Sequence, residues 1–337
     1  MQFVKSGYHG FFLPEAGVAL DGPLPRDVEG TVFISHAHAD HAPRSRKSEV
    51  CATPATAALI RARGHRGPVR EIPFGETLHL PSASVTLYPA GHILGSAMIF
   101  VESEYGTLLY TGDCRTPPSP TSEGFEMPDR HIDHLIIEAT FALPIYKWAP
   151  HRELFDRIRR FVHQTLEDGA TPVMLCYNLG KAQEVMHALA FAEAPGPPIQ
   201  VQIHKDGAPL CRVYEQFGVN LGCWEVFDPE TLPGKVLITP GNTVNMPGFN
   251  QIPNPRFAYV SGWAALENRS GRTDVGALIP LSDHLDFFEL IDLCRKYAPG
   301  HVHLTHTPDS SVALHYLRKH DISCSDLKLM EPAASII

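Results

Sequence analysis

Apolar positions along this chain recur with two different periods, and the change from one to the other marks its organisation. Early on, short β-rich runs alternate with turn residues. Thr31–Ser35 is such a run and stops at a cluster of histidines. Ser84–Pro89 alternates apolar and polar positions. Ala97–Glu102 and Thr107–Thr111 flank Ser103-Glu104-Tyr105-Gly106, which reads as a hairpin turn. His134–Ile137 is a further apolar strand, ending at Glu138. The spacing then becomes helical. Leu154, Ile158, Phe161 and Val162 share one face of a helix predicted over Arg152–Leu166, which Asp168-Gly169 ends. Pro172–Tyr177 reads as a buried strand, and Lys181–Leu189 as a helix after the turn at Asn178–Gly180. This alternation predicts a parallel α/β unit. Loops are predicted over Ala194–Pro198 and Pro240–Pro255. Strands follow at Phe257–Val260, Val275–Pro280 and His301–Thr305, and helices at Phe287–Tyr297 and Ser311–His320.

Length and composition narrow the class. The 337 residues suffice for about two domains, and no repeat points to a solenoid or propeller. With 44% hydrophobic and 19% charged residues, a disordered, collagenous or coiled-coil chain is excluded. Charge or proline interrupts every apolar stretch short of the roughly 18–20 residues a membrane helix needs, and Pro14 and Glu15 deny Met1–Leu20 a signal-peptide core. Seven scattered cysteines without a CxxC pair read as reduced thiols of a cytoplasmic protein. The net charge of −9 argues against indiscriminate coating of nucleic acid but permits a local basic groove. Arg44, Arg46, Lys47, Arg61, Arg63, Arg66 and Arg70 stand against one acid, Glu49. They read either as a track for a nucleic-acid backbone or as a solvated helix face and loop.

The 19 histidines carry the chemistry. Ser35-His36-Ala37-His38-Ala39-Asp40-His41 places four metal-ligand side chains after a strand, with small alanines between them. Such a loop can turn His36 and His38 to one cation and Asp40 and His41 to a second, and imidazole with carboxylate suits zinc, with manganese or iron as alternatives. Two sites need more ligands. His92 lies in the glycine-flanked loop Gly91–Ser96, Asp113 follows a strand in Thr111-Gly112-Asp113, Asp283-His284 follows another, and His306 closes His301–Thr305. Alone, Asp113 reads more readily as a turn aspartate and His306 as a structural histidine. Together they form a set.

The ordered motifs HxHxDH, GHxxGS, TGD and a late strand-end histidine resemble the metallo-β-lactamase fold. Within it, Tyr177–Glu184 (YNLGKAQE), Glu138-Ala139-Thr140-Phe141, Ser282-Asp283-His284 and His306 resemble motifs of the β-CASP nucleases, and the chain looks most like the bacterial DNA-ligase-associated exonucleases, sometimes labelled mRNA 3′-end processing factors. Three positions depart from the pattern: Ala139 in motif A, Leu285 after the motif B histidine, and Thr307-Pro308 after His306. The resemblance implies an α/β fold: an αββα metallo-β-lactamase sandwich (1–145 and 274–337) with an inserted α/β β-CASP domain (146–273). It implies two divalent metal ions, one held by His36, His38 and His92 and the other by Asp40, His41 and His306, with Asp113 bridging. It gives His284 the role of general acid oriented by Glu138, with support of a neighbouring ligand as the alternative, and lets Asp40 orient the nucleophilic water. Ser96, Gly180 and Lys181 are its phosphate contacts, although Ser96 reads as well as a brace for the His92 loop, and Gly180-Lys181 as a simple helix start. The implied substrate is nucleic acid, DNA before RNA, with a DNA ligase and a helicase as associates and no membrane.

Overall fold

The computed structural model describes residues 1–7, 10–42, 49–190, 199–242, 247–266, 275–307 and 309–327. They form two compact units. The first comprises Met1–Pro118, Ser122–Lys147 and His284–Ile337; the second comprises Ser119–Thr121 and Trp148–Asp283.

In the first unit the alternating runs become strands because one side of each can be buried. Ser84–Pro89 pairs antiparallel with Ala97–Ser103, and that strand with Gly106–Tyr110 across the expected turn. Gly106–Tyr110, His134–Glu138, His301–Thr305 and Cys324–Asp326 then run parallel, and Thr77–His79 closes the opposite edge of this seven-stranded sheet. A second sheet has six strands in chain order: Val4–Ser6, Gly10–Leu13, Val18–Leu20, Thr31–Phe33, Val50–Ala52 and Val69–Glu71. One core takes side chains from both sheets, including Leu13, Leu20 and Phe33 from one and Leu87, Ile99 and Leu108 from the other. The opposite face of the seven-stranded sheet presents Met98, Phe100, Leu135, Ile137, Val302 and Leu304 to two helices, Phe287–Tyr297 and Ser311–Lys319.

Six α-helices occur among the described residues: α1 (Pro54–Ala62), α2 (His151–Glu167), α3 (Lys181–Ala190), α4 (Ala208–Gln216), α5 (Phe287–Tyr297) and α6 (Ser311–Lys319). The helices predicted from periodicity are α2, α3, α5 and α6. α1 and α4 are not among them, although each is as long as α6 and has a proline in its first turn, Pro54 after the N-cap Thr53 in α1 and Pro209 in α4. α1 falls within the basic stretch.

The second unit is an α/β layer around a six-stranded sheet in which every neighbouring pair is parallel. Its order is Trp224–Val226, Val201–Ile203, Val236–Thr239, Thr171–Leu175, Pro255–Val260 and Val275–Ile279. Continuous apolar runs such as Val236-Leu237-Ile238 suit its central strands, which are buried on both faces. No helix of the described residues is long and apolar enough to cross a membrane, and all seven cysteines are free.

Candidate metal centre

Parallel strands deliver their carboxyl ends to one sheet edge. In the first unit, Gly106–Tyr110 leads to Asp113, His134–Glu138 ends in Glu138, and His301–Thr305 leads to His306, with Thr305 opposite Glu138 in register. The strand Thr31–Phe33 leads to His36. It is shorter than the sequence predicts because Ser35 leaves the ladder: its amide and hydroxyl both donate to Asp21, at 2.6 and 2.5 Å.

Asp113 lies among four imidazoles. Its Oδ2 is 3.5 Å from His36 Nε2, 3.5 Å from His41 Nε2 and 3.7 Å from His92 Nε2; its Oδ1 is 3.5 Å from His306 Nδ1. His38 Nδ1 lies 3.0 Å from His92 Nε2. The donor atoms of His36, His38, His92 and Asp113 fall within 4.8 Å of one another, as do those of His41, Asp113 and His306. Six of the seven expected ligands are thus brought together around one shared carboxylate. The seventh, Asp40, joins neither group; its half-exposed carboxylate lies 4.0 Å from His41 Nε2.

The donor set fits divalent cations. Imidazole nitrogens and a carboxylate are their usual ligands, and His36 Nε2 is buried with no hydrogen-bond partner. Burial, reinforced by the neighbouring imidazoles, holds the pKa of His36 well below the usual histidine value and keeps the ring neutral, the form that coordinates. Burial likewise raises the Asp113 carboxyl, against the pull of His41 and His284. Burial alone would lower His41, but Asp113 and Asp21 outweigh it and raise it to about 9. A positive ion among these groups reverses the balance and strips protons from them.

Backbone geometry makes the approach possible. Gly112 has φ +55°, and a Cβ there would stand 2.6 Å from the Ser35 side chain. Gly95 has φ +75°, and its Cβ would stand 2.6 Å from the Thr56 amide. The hydroxyls of Thr53 and Thr56, at the start of α1, donate to Gly95 O at 2.7 and 2.8 Å, and Gly95 N donates to Glu123. α1, a helix that apolar periodicity does not predict, is therefore the anchor of the His92 loop.

Asp21 is a functional residue that sequence reasoning missed. It is buried at the end of Val18–Leu20 with φ +51° and accepts from Ser35 N, Ser35 Oγ, Tyr110 OH at 2.9 Å and His41 Nδ1 at 2.8 Å. Its bond to His41 turns Nε2 toward Asp113. Ser35 Oγ also meets His36 Nδ1 at 3.0 Å, so one carboxylate orients two ligand rings. The available signal was an aspartate-glycine pair closing an apolar run, which reads equally as a turn.

His284 Nδ1 is 2.8 Å from Glu138 Oε1, and its ring lies 4.7 Å from that of His92. Glu138 is fully buried and also accepts from Cys114 N, Thr140 N and Thr140 Oγ1. Leu285 N donates to Cys114 O at 3.0 Å, and Asp286 caps α5 in a reciprocal box with Glu289, so the loop that carries His284 is pinned on both sides.

The expected phosphate contacts are occupied otherwise. Ser96 Oγ accepts from His92 N and Ile93 N and braces that loop. In the second unit, Gly180 N donates to Gln183 Oε1 at 2.8 Å. Lys181 is buried; its ammonium lies 2.7 Å from Glu184 and 3.3 Å from Asp283. Burial would raise the Glu184 carboxyl, but Lys181 and His151 override it and bring it below the usual range. Of the basic stretch, Arg44, Arg46 and Lys47 lie outside the described residues, as does Pro308. Arg61 pairs with Glu71, and Arg63 donates to Ala37 O.

No family model matches the chain. It is 36% identical over 301 residues to a protein of Opitutus terrae named a probable DNA ligase, a match covering 88% of this chain and 28% of that protein. It is 26% identical over 234 residues to an RNase J-like protein of Methanocaldococcus jannaschii, covering 59% of this chain and 53% of that one. Over 118 residues it is 30% identical to the endoribonuclease ysh1 of Schizosaccharomyces pombe, covering 35% and 15% respectively. The chain therefore spans from about a seventh to about half of the length of these relatives.

Proposed function

As the chain belongs to the β-CASP nucleases of the metallo-β-lactamase fold, we propose that it is a metal-dependent phosphodiesterase that trims nucleic-acid ends, with DNA as its substrate. The observation that carries this reading is the shared Asp113 carboxylate among four imidazoles, beside a histidine held by a buried glutamate. The αββα sandwich with an α/β insert is the architecture we assign to it.

In this reading His36, His38, His92 and Asp113 hold one divalent cation, and His41, His306 and Asp113 the second, with Asp40 beside His41. Zinc suits these donors, with manganese or iron as the alternatives. The bound cations supply Lewis acidity and charge neutralisation at the phosphodiester. The chain's own residues do the rest. The Glu138 carboxylate accepts the Nδ1 proton of His284 and fixes the ring. His284 Nε2 is then the atom that gives a proton to the departing alkoxide oxygen. To Asp40, half-exposed beside His41, we assign the orientation of water. Ser96 keeps the His92 loop in position.

The match over most of this chain to a protein named a probable DNA ligase supports DNA and an association with a ligase. The relatives named RNase J-like protein and endoribonuclease support RNA as the second reading. Metal analysis with digestion of end-labelled single-stranded DNA, duplex DNA and RNA tests both. Release of nucleotides from DNA ends is expected, lost in His41→Ala with Asp40→Ala. Absence of bound metal, or full activity in that double variant, sinks the proposal; turnover confined to RNA selects the second reading.

A further inference from the structure

A strip of the first unit's surface lies outside the metal centre and has no role in the chemistry above. Phe288 on α5 and Tyr316 on α6 are exposed at 44% and 38%. Both rings pack against the buried ring of Phe287 between them, at centroid distances of 5.3 and 5.1 Å, so they form a supported aromatic ridge. An exposed lysine lies over each outer ring: Lys147 Nζ is 5.6 Å from the Phe288 centroid, and Lys319 Nζ is 5.4 Å from that of Tyr316. Neither lysine takes part in an ion pair among the described residues. The acids of α5 are engaged, Glu289 in the capping box and Asp292 with Arg295 at 3.5 Å. The strip thus presents aromatic faces and uncompensated positive charge together.

It also leads to the proposed acid. His284 and Phe288 are four residues apart, within roughly 14 Å along the chain. The ring of Phe141 lies 5.8 Å from that of His284 and 4.8 Å from that of Tyr146, the residue before Lys147. Single exposed aromatics are ordinary. A ridge flanked by cations is the combination that holds an unpaired strand, because bases stack on rings while lysines meet the phosphates. A duplex hides its base faces and gains little from such a surface.

We propose that Lys147, Phe288, Tyr316 and Lys319 form a stacking platform for a single strand of nucleic acid, whose end it delivers to His284. This rests on the nuclease reading for the meaning of that delivery, while strand binding itself is measured independently of turnover.

The test is fluorescence anisotropy of the metal-loaded full chain with a labelled single-stranded oligonucleotide and a duplex of equal length, beside wild-type hydrolysis of bis(p-nitrophenyl) phosphate. Phe288→Ala and Tyr316→Ala are each expected to weaken single-strand binding about tenfold. Lys147→Gln with Lys319→Gln is expected to flatten the salt dependence of log K by about 0.7 per lysine. The comparably exposed Phe217→Ala is expected to bind as wild type does. Wild-type affinity in both aromatic variants, equal losses for strand and duplex, or an unchanged salt slope in the lysine variant overturns the platform. An aromatic variant that fails to fold leaves the lysine measurement to decide. Failure of the wild type to hydrolyse any phosphodiester overturns the nuclease reading, and the binding data still judge the platform.

Discussion

Replacing Asp21 with asparagine separates orientation of the metal ligands from supply of the ligands themselves. The carboxylate is buried and accepts four hydrogen bonds. Asparagine can still accept from Ser35 N with its oxygen. Its amide nitrogen takes the place of the oxygen that met Ser35 Oγ, Tyr110 OH and His41 Nδ1, and it brings hydrogens to a position built for an acceptor. His41 then has to present Nδ1 unprotonated and carry its proton on Nε2, the nitrogen facing Asp113. A protonated Nε2 cannot coordinate. Loss of such an outer partner costs about 10–100-fold in metal affinity, or about 1.4–2.7 kcal/mol. The disturbed bonds also lower the stability of the metal-free protein by about 2–4 kcal/mol. Competition titration against a chromophoric zinc chelator measures the first effect, and denaturant unfolding in EDTA the second. One of two metal equivalents is expected to weaken by that factor. Tyr110→Phe removes one donor without moving the His41 proton, so its metal affinity is expected to stay near wild type. If folded Asp21→Asn binds both equivalents as tightly as wild type, the orienting role is refuted.

Two further outcomes follow from buried charge. Lys181→Met removes the ammonium shared by Glu184 and Asp283 and is expected to destabilise the second unit by about 3–5 kcal/mol, whereas Lys181→Met with Glu184→Leu, which removes the closest pair together, costs less; urea unfolding of the two variants checks the order. His303 has its pKa lowered to about 3 by burial and by its neighbours His301 and His134. The unfolded chain takes up a proton near pH 6.5 that the folded chain refuses, so this contribution to stability is complete above that pH and is lost as pH falls toward 3. Thermal melts at pH 7.5 and 5 are expected to show a smaller drop for His303→Gln than for wild type, and equal drops would refute the assignment.

The strands around the centre were legible because apolar residues recur along them at every second position or without a break. Ser84–Pro89 is observed as predicted, and His301–Thr305 likewise. Gly10–Leu13 and Val18–Leu20 were not, since three or four buried residues are too few to show a period. The close donors came from local motifs, which need only neighbouring residues. Asp21 and the α1 anchor were invisible because they act through space: Asp21 reaches His41 and Tyr110, and Thr53 and Thr56 reach Gly95, about forty residues away. Lys181 reads as a phosphate contact because its motif begins a helix; its nearer partner Glu184 stands in that same motif, and Asp283 lies more than a hundred residues further on.

The strand order of the seven-stranded sheet has a consequence for synthesis. His134–Glu138 is flanked by Gly106–Tyr110, made before it, and by His301–Thr305, made more than 160 residues later. At about 5–20 residues per second, a ribosome leaves that edge open for roughly ten to thirty seconds. An unpaired edge rich in Leu135, Ile136 and Ile137 invites pairing with another chain. The second unit is completed within this interval, and His306 emerges only with the strand that closes the edge. The candidate second ligand group therefore lacks His306 until that strand has been made, so a nascent chain cannot assemble the group early.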